Sequence, residues 1–495
     1  MYASKSNGGS IMLNRFLKSE KAERVRKFVL DDKFMLILFA LAAAVTVFHI
    51  EAIGVALFIL IVSFILVVSD DLLATTLPFL LISETLIKCY GSYAYFIKIV
   101  WVAIPLVAAL IFHFVHYRQP IKTGKLFTPI VMVSLAVTLG GLGFISAKEF
   151  FSLVSFYYVF GLGFGMLLIY IMLNSGLRTP REYSLKGKFT NIMIYMGLFA
   201  VFMLLEYYIE NASQAIMYKS ILYIQWRNNI STFLMFAMPF AAFKAVKKPS
   251  YIFLSLIFYV SILLTGSRGG MLFGFIELMM SLSILINIDK RHRWTFIAIG
   301  GGIVFAIALF MQDFFGFFGA TFDRLIGGLS GGDDEVRLQL FQRAFQDFYD
   351  HPVFGTGLAY MGNRDVHPSA EFALCWYHCE PLQIMASLGL VGVAAYSVQF
   401  ISRIILFIKK RTVFNVTVLV AYLGIEMMSL VNPGIFCPVP YLFLVTMFLS
   451  IVEYVNETDS VKDLKDDILL SQEKEEQLDE DEEEDEDELV PIIYK

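Results

Sequence analysis

The sequence predicts an all-α, polytopic helical membrane protein of about 12–14 transmembrane helices, with one large extracytoplasmic loop that contains an amphipathic helix. Three observations carry that expectation. The 495 residues are 57% hydrophobic, with a mean hydropathy of +0.67, and a soluble chain of this length needs more charge to cover its surface. Apolar stretches recur along most of the chain, each close to the ~20 residues that cross a hydrocarbon core of about 30 Å. Barrel strands would be shorter and would alternate in polarity. Between two of the stretches lies a single long polar excursion, roughly Asp313 to Gln383.

Taken in order, the spans fall at 34–49, 52–69, 72–88, 95–116, 127–145, 151–173, 191–209, 231–245, 250–266, 271–288, 294–312, 384–407, 415–432 and 438–455. Several are short, and two of the first three also fit a hairpin or re-entrant pair. The first apolar run begins only near Phe34, late for a cleaved signal peptide, which predicts a retained span. The chain thus divides into a basic cytoplasmic N-terminus (1–33), a first transmembrane block (34–312), the large extracytoplasmic loop (313–383), a C-terminal transmembrane block (384–455) and an acidic, disordered cytoplasmic tail (456–495).

Charge sets the orientation. The last 40 residues carry a net −14 and the remaining 455 carry +9, so a basic body bears an acidic tail. Alternate connections hold Arg118, Lys122 and Lys125; Arg178, Arg181, Lys186 and Lys188; Lys244, Lys247 and Lys248; Lys290, Arg291 and Arg293; and Lys409, Lys410 and Arg411. With the basic N-terminus they belong on the cytoplasmic side. An even number of spans then puts both termini in the cytoplasm and the large loop outside. The tail is too charged to pack; it is a solvated segment or a docking segment for a basic cytoplasmic partner.

The loop holds His351, His367 and His378, three of the seven histidines, and four arginines. Asp333 to Asp350 reads as an amphipathic helix, because Phe341, Ala344, Phe345 and Phe348 recur at i, i+3, i+4 and i+7. Pro352 and Gly355 end it. Its apolar face either lies on the outer membrane interface or caps the bundle. The cysteines Cys89, Cys375, Cys379 and Cys437 fall on or near the outer side, where disulfides are permitted but unpaired thiols are the simpler expectation. Cys375, His378 and Cys379 would share a helical face at i, i+3 and i+4, yet a metal there lacks an evident fourth ligand. Glu84, Glu206, Glu277 and Glu426 lie within spans, where acids are costly and face the bundle interior.

Three local patterns gather on the predicted outer face. They are Trp226-Arg227-Asn228-Asn229; Thr265-Gly266-Ser267-Arg268-Gly269-Gly270; and a run from Arg337 through His351-Pro352-Val353-Phe354-Gly355-Thr356-Gly357 to His378, Gln383, Gly389 and Gly392. Each has a plain structural reading. Arg268 anchors a turn, Arg227 sits beside the interfacial Trp226, Arg337 pairs with acids on its own helix, Arg343 and Asp347 form an i, i+4 pair, and His351 caps a helix end. Glycines within spans, such as Gly161, Gly163 and Gly165, serve close helix packing.

In order and together, these patterns resemble the O-antigen ligase and O-antigen polymerase superfamily over roughly 190–455. The carriers are Ser-Arg-Gly at a turn, Pro-x-x-Gly-x-Gly after an Arg-led helix, and a histidine followed by glycines eleven and fourteen residues on. The chain departs from the family pattern at Cys379, where Asn is usual, and at Ser387, where an acid is usual. The resemblance implies glycosyl transfer on the outer face of a bacterial cytoplasmic (inner) membrane. The donor is a glycan on a polyprenyl diphosphate, such as undecaprenyl diphosphate, and the acceptor is a sugar hydroxyl. Arg227, Arg268 and Arg337 would bind the diphosphate, since a guanidinium fork matches two phosphate oxygens and is permanently charged. His378 would be the base, since imidazole titrates near working pH. Direct displacement inverts the anomeric centre and requires no cofactor and no metal. The expected partners are that donor, the glycan acceptor and membrane lipids, not nucleic acid. Two other readings stay open: a transporter or flippase of lipid-linked glycans built on the intramembrane acids, and a scaffold that recruits a partner through its tail.

Overall fold

A computed structural model describes residues 17, 19–88, 100–141, 159–177, 181, 183–218, 221–309, 333–358, 377–436 and 441–458. The described residues are helical with no strand, as expected of backbone that must satisfy its own hydrogen bonds in lipid. In chain order the helices are α1 (Glu20–Val29), α2 (Asp32–Val47), α3 (Glu51–Val68), α4 (Thr76–Ile87), α5 (Ala103–Tyr117), α6 (Phe127–Gly141), α7 (Met166–Gly176), α8 (Leu185–Glu210), α9 (Ala212–Tyr218), α10 (Arg227–Ala245), α11 (Ile252–Leu264), α12 (Arg268–Ile288), α13 (Arg293–Leu309), α14 (Asp333–Asp350), α15 (Glu380–Ile408), α16 (Val413–Ser429) and α17 (Tyr441–Thr458). Each of the fourteen spans read from hydropathy falls on one of them. α3, α8, α12 and α15 are individually long and apolar enough to cross a membrane, and shorter apolar helices make up the rest. The chain is an all-α polytopic membrane protein.

At the centre stands α10. Its residues 229–242 are buried without a break, and it packs against α8, α11, α12 and α16. Gly270 of α12 lies so close to α10 that a Cβ would meet the Ser231 side chain at 2.7 Å. A small residue at such a crossing lets two helices approach closely. The starts of α10 and α12, which carry Arg227 and Arg268, are therefore neighbours.

One end of the bundle gathers the ends of α2, α4, α8, α11 and α16 with the starts of α10, α12, α15 and α17. Contacts across it include Lys88–Glu206, His49–Glu210 at 3.0 Å, the Tyr208 hydroxyl on the Leu264 carbonyl at 2.8 Å and the Tyr441 hydroxyl on Asn229 Oδ1 at 3.1 Å. The opposite end is laced by Arg181–Asp71, Lys188–Asp32 and Lys125–Glu457. Of the intramembrane acids, Glu206 pairs with Lys88 and Glu426 with Arg403 at 3.6 Å, while Glu84 and Glu277 are fully buried with both oxygens lacking a hydrogen-bond partner among the described residues.

α14 begins and ends where its periodicity places it, and its inward stripe shares Ala344 with the expected one, with Phe341 and Phe348 half-buried beside it. Leu340, Ala344 and Asp347 are buried, whereas Phe345 is 57% exposed. The inward stripe packs on the start of α15, so the helix caps the bundle. The rest of the large loop (310–332 and 359–376), Cys89, Cys375, Cys437, His367 and the acidic tail beyond 458 lie outside the described residues. Gly163 packs against Ser134 of α6, whose hydroxyl donates to its carbonyl at 2.9 Å; a Cβ built on Gly161 would meet nothing within 4 Å among the described residues.

Candidate active site

His378 sits just outside α15, two residues before its first turn. Its φ of 51° is left-handed, a conformation that non-glycine residues seldom adopt and that costs of order 1–3 kcal/mol. Cys379, the N-cap, is extended with φ −155°. His378 and Cys379 are thus not on a helix, and the expectation of a shared helical face with Cys375 is corrected. The Cys379 thiol is buried and unpaired, and burial pushes its pKa up, which makes it a poor ligand or nucleophile.

The residue before His378 is held firmly. Tyr377 is fully buried; its hydroxyl donates to Asp347 Oδ2 of α14 at 2.6 Å, and its N–H donates to Gln383 Oε1 at 3.2 Å. Gln383 in turn donates to Ser387 Oγ at 2.9 Å. Asp347 Oδ1 also lies 3.5 Å from Arg343 Nε, the i, i+4 ion pair read from the sequence. Burial raises the Asp347 pKa above the ordinary aspartate value, against the pull of the Tyr377 hydroxyl and Arg343. The site thus fixes a strained histidine by anchoring its neighbour to a separate helix.

The Pro-x-x-Gly-x-Gly run explains the glycine eleven residues after the histidine. α15 is broken at Gly389, with φ 62° and ψ −159°. A break there removes the two helical bonds from the amides of 390 and 391 to the carbonyls of 386 and 387. All four groups are satisfied by the segment that follows α14. Thr356 N donates to Ala386 O and Gly357 N to Ser387 O, both at 2.9 Å; Leu390 N donates to Pro352 O at 2.8 Å and Val391 N to Val353 O at 3.2 Å. The splice needs bare backbone on both sides. A Cβ on Gly355 would lie 2.3 Å from the Ser387 carbonyl carbon, and one on Gly389 would lie 2.5 Å from Val353. Two residues of the motif are therefore structural, and they hold α14 and the half of α15 that follows the histidine as one piece. His351 follows α14; its backbone N–H donates to Asp347 O at 3.0 Å, closing the helix end, and its carbonyl accepts from Gly355 N at 2.9 Å.

The arginines are placed by helix starts. Ser267 caps α12, its Oγ accepting from Gly270 N at 3.1 Å, and Arg268 is the exposed first residue. Arg227 opens α10, with its guanidinium 4.5 Å from the Tyr223 ring centroid. Stacking covers a face of the guanidinium and leaves its in-plane N–H groups for an anion. The Ser267 hydroxyl donates to Asn228 Oδ1 at 2.8 Å, and Asn228 Nδ2 donates to Asn432 Oδ1 at 3.0 Å. These bonds tie the residues next to Arg227 and Arg268 to one another and to the loop after α16. Helix N-termini add partial positive charge at the same place.

Arg337 lies half-buried in the first turns of α14, on the stripe of Leu340, Ala344 and Asp347 that faces α15. It is ten residues, about 15 Å of helix, from Asp347. The bonds that join the His378 segment to α10 and α12 run instead through the loop Leu430–Phe436. There Ile435 N donates to Glu380 Oε2 at 2.9 Å. Reading the sequence missed Asn228, Asn432, Tyr377 and Glu380. Asn228 stood inside a quoted motif, Asn432-Pro433-Gly434 carries a turn signal, and Glu380-Pro381 marks a helix start. None of these signals names its partner.

No curated protein matches the chain. Residues 252–397 match the family model described as O-antigen ligase. That stretch contains Arg268, Arg337, both halves of the backbone splice and His378, and over it the chain is similar to the O-antigen ligase family.

Proposed function

We propose that the chain transfers a glycan from a polyprenyl diphosphate to a sugar hydroxyl at the His378 end of the bundle. That end faces the outside of the bacterial cytoplasmic membrane, with both termini in the cytoplasm. The reading rests on one observation above all. The O-antigen ligase match spans Arg268, Arg337 and His378, and the hydrogen-bonded loop at 430–436 links the His378 helix start to those of Arg227 and Arg268.

In this scheme His378 accepts the proton of the acceptor hydroxyl as its oxygen attacks the anomeric carbon. The bond from that carbon to the diphosphate oxygen breaks, and its electron pair leaves with the polyprenyl diphosphate. Arg227, Arg268 and Arg337 stabilise the anion as it forms, which is where fixed positive charge lowers the barrier most. Attack opposite the leaving group inverts the centre. The arginines provide the charge a metal would otherwise supply, so no metal is required. Among family activities we favour a polymerase that joins lipid-linked repeat units over a ligase.

The test is reconstitution of the purified protein in liposomes with lipid-linked glycans extracted from its host. Transfer with inverted linkage and release of polyprenyl diphosphate, unchanged by a chelator, is the expected result. Retained linkage or loss of transfer on chelation would overturn the scheme.

A further inference from the structure

The loop Leu430–Phe436 touches both parts of the site. On one side Asn432 accepts from Asn228, which accepts from Ser267. Val431 lies against Gly269, where a Cβ would meet its side chain at 2.9 Å. On the other side the loop receives Glu380, the second residue after His378. An acid in the first turn of a helix ordinarily faces solvent near the helix amides. Glu380 does not; it is 7% exposed and its carboxyl enters the loop to accept from Ile435 N. The loop is shaped around that carboxyl. Gly434 has φ 54°, and a Cβ there would lie 1.7 Å from Glu380 Oε2. A buried acid is expensive and persists where its geometry is needed.

We propose that Glu380 is a positioning residue for the transfer reaction. By docking the start of α15 onto the 430–436 loop, it holds His378 in register with Arg227 and Arg268. Tyr377 is fixed to α14 on one side of the strained histidine, and Glu380 is fixed to the loop on the other. The histidine's left-handed backbone is thereby determined from both directions, and a base that must meet a substrate held by the arginines needs that registration. The inference rests on the function proposed above.

The test uses the full-length protein in liposomes with lipid-linked glycans extracted from its host. Three variants are compared: Glu380→Gln, which keeps an oxygen for Ile435 N–H, Glu380→Ala, and Gly434→Ala, which obstructs the carboxyl from the loop side. Glu380→Ala is expected to lower kcat by about 10²-fold, the scale of a small misplacement, with the donor KM little changed. Glu380→Gln is expected to restore most of kcat. Gly434→Ala should reproduce the Ala defect, and the double variant should be no worse than either single one. A Glu380→Gln variant as inactive as Glu380→Ala would show that charge, not position, matters, and would overturn the proposal. So would a fall in yield and melting temperature with kcat per folded molecule unchanged. Hydrogen exchange reads the clamp without activity: Glu380→Ala should speed exchange at 430–436 and at the start of α10. A wild type with a protected loop but no transfer would sink the proposed function alone, whereas a released loop with normal kcat would sink this inference alone.

Discussion

The two ends of the bundle treat their cations differently. At the end away from His378, Arg181 makes two bonds to Asp71, at 2.7 and 2.8 Å, with both side chains nearly fully buried. Lys188 closes on Asp32 at 2.9 Å and Lys125 on Glu457 at 3.6 Å. At the His378 end Lys88 is likewise closed on Glu206. Arg227 is the contrast. Its contact is an aromatic face, and among the described residues no carboxylate pairs with it. A guanidinium closed by a fork-shaped carboxylate is already satisfied and serves stability. One stacked on a ring keeps its charge for an anion that arrives later. Arginine alone therefore does not mark a site; what it is bonded to does.

Exchanging the effects of mutation between the two ends tests this. The largest expected effect is on folding, from Arg181→Ala. It leaves the buried Asp71 without its charged partner and should cost about 3–5 kcal/mol, read by thermal unfolding in detergent, while transfer per folded molecule stays normal. Arg227→Ala should do the reverse. Stability should hold while kcat falls by about 10²–10³-fold, the scale for removing one group that stabilises the developing anion. Arg227→Lys should rescue poorly, because an ammonium neither stacks flat nor offers a fork. If Arg181→Ala lowered kcat of folded protein, or Arg227→Ala mainly unfolded it, the contrast between the ends would fail.

The smallest effect is a pH dependence at Asp347. Its pKa is raised in the folded chain by burial, so the folded state holds the proton more tightly than the unfolded one. Docking of α14 should then weaken as pH rises from below the ordinary aspartate value through the raised one, and stay level above it. Asp347→Asn keeps an oxygen for the Tyr377 hydroxyl and should flatten that dependence. Hydrogen exchange across α14 as a function of pH measures it, and an equal slope in both proteins would contradict it.

The same contrast shows what could be read without coordinates. The spans were legible because a bilayer demands apolar runs of a set length, and each run found its helix. The bounds of α14 were legible from Pro352, Gly355 and its period. Its inward face was legible only in part. Periodicity favoured Phe341, Ala344, Phe345 and Phe348, of which Ala344 is buried; beside a membrane an apolar side chain need not face protein, and Phe345 is largely exposed. The glycines of the splice announced themselves, whereas the four bonds that need them join residues at least 30 positions apart. Glu380 and Ile435 are 55 residues apart, and Asn228 and Asn432 are 204 apart. Such partners are set by which helix ends meet, and no local pattern encodes that.

In the proposed reaction the chemistry happens at the strained histidine, on a lipid-linked glycan. Mass spectrometry of lipid-linked glycans from cells whose only copy carries His378→Ala, with protein level checked by blot, addresses it most directly. Single repeat units accumulating on the polyprenyl carrier are the predicted result; long chains held on the carrier would place the same histidine in a ligase. An unchanged lipid-linked pool with normal surface glycan would contradict the account and turn attention to Glu277 and Glu426 as parts of a transporter.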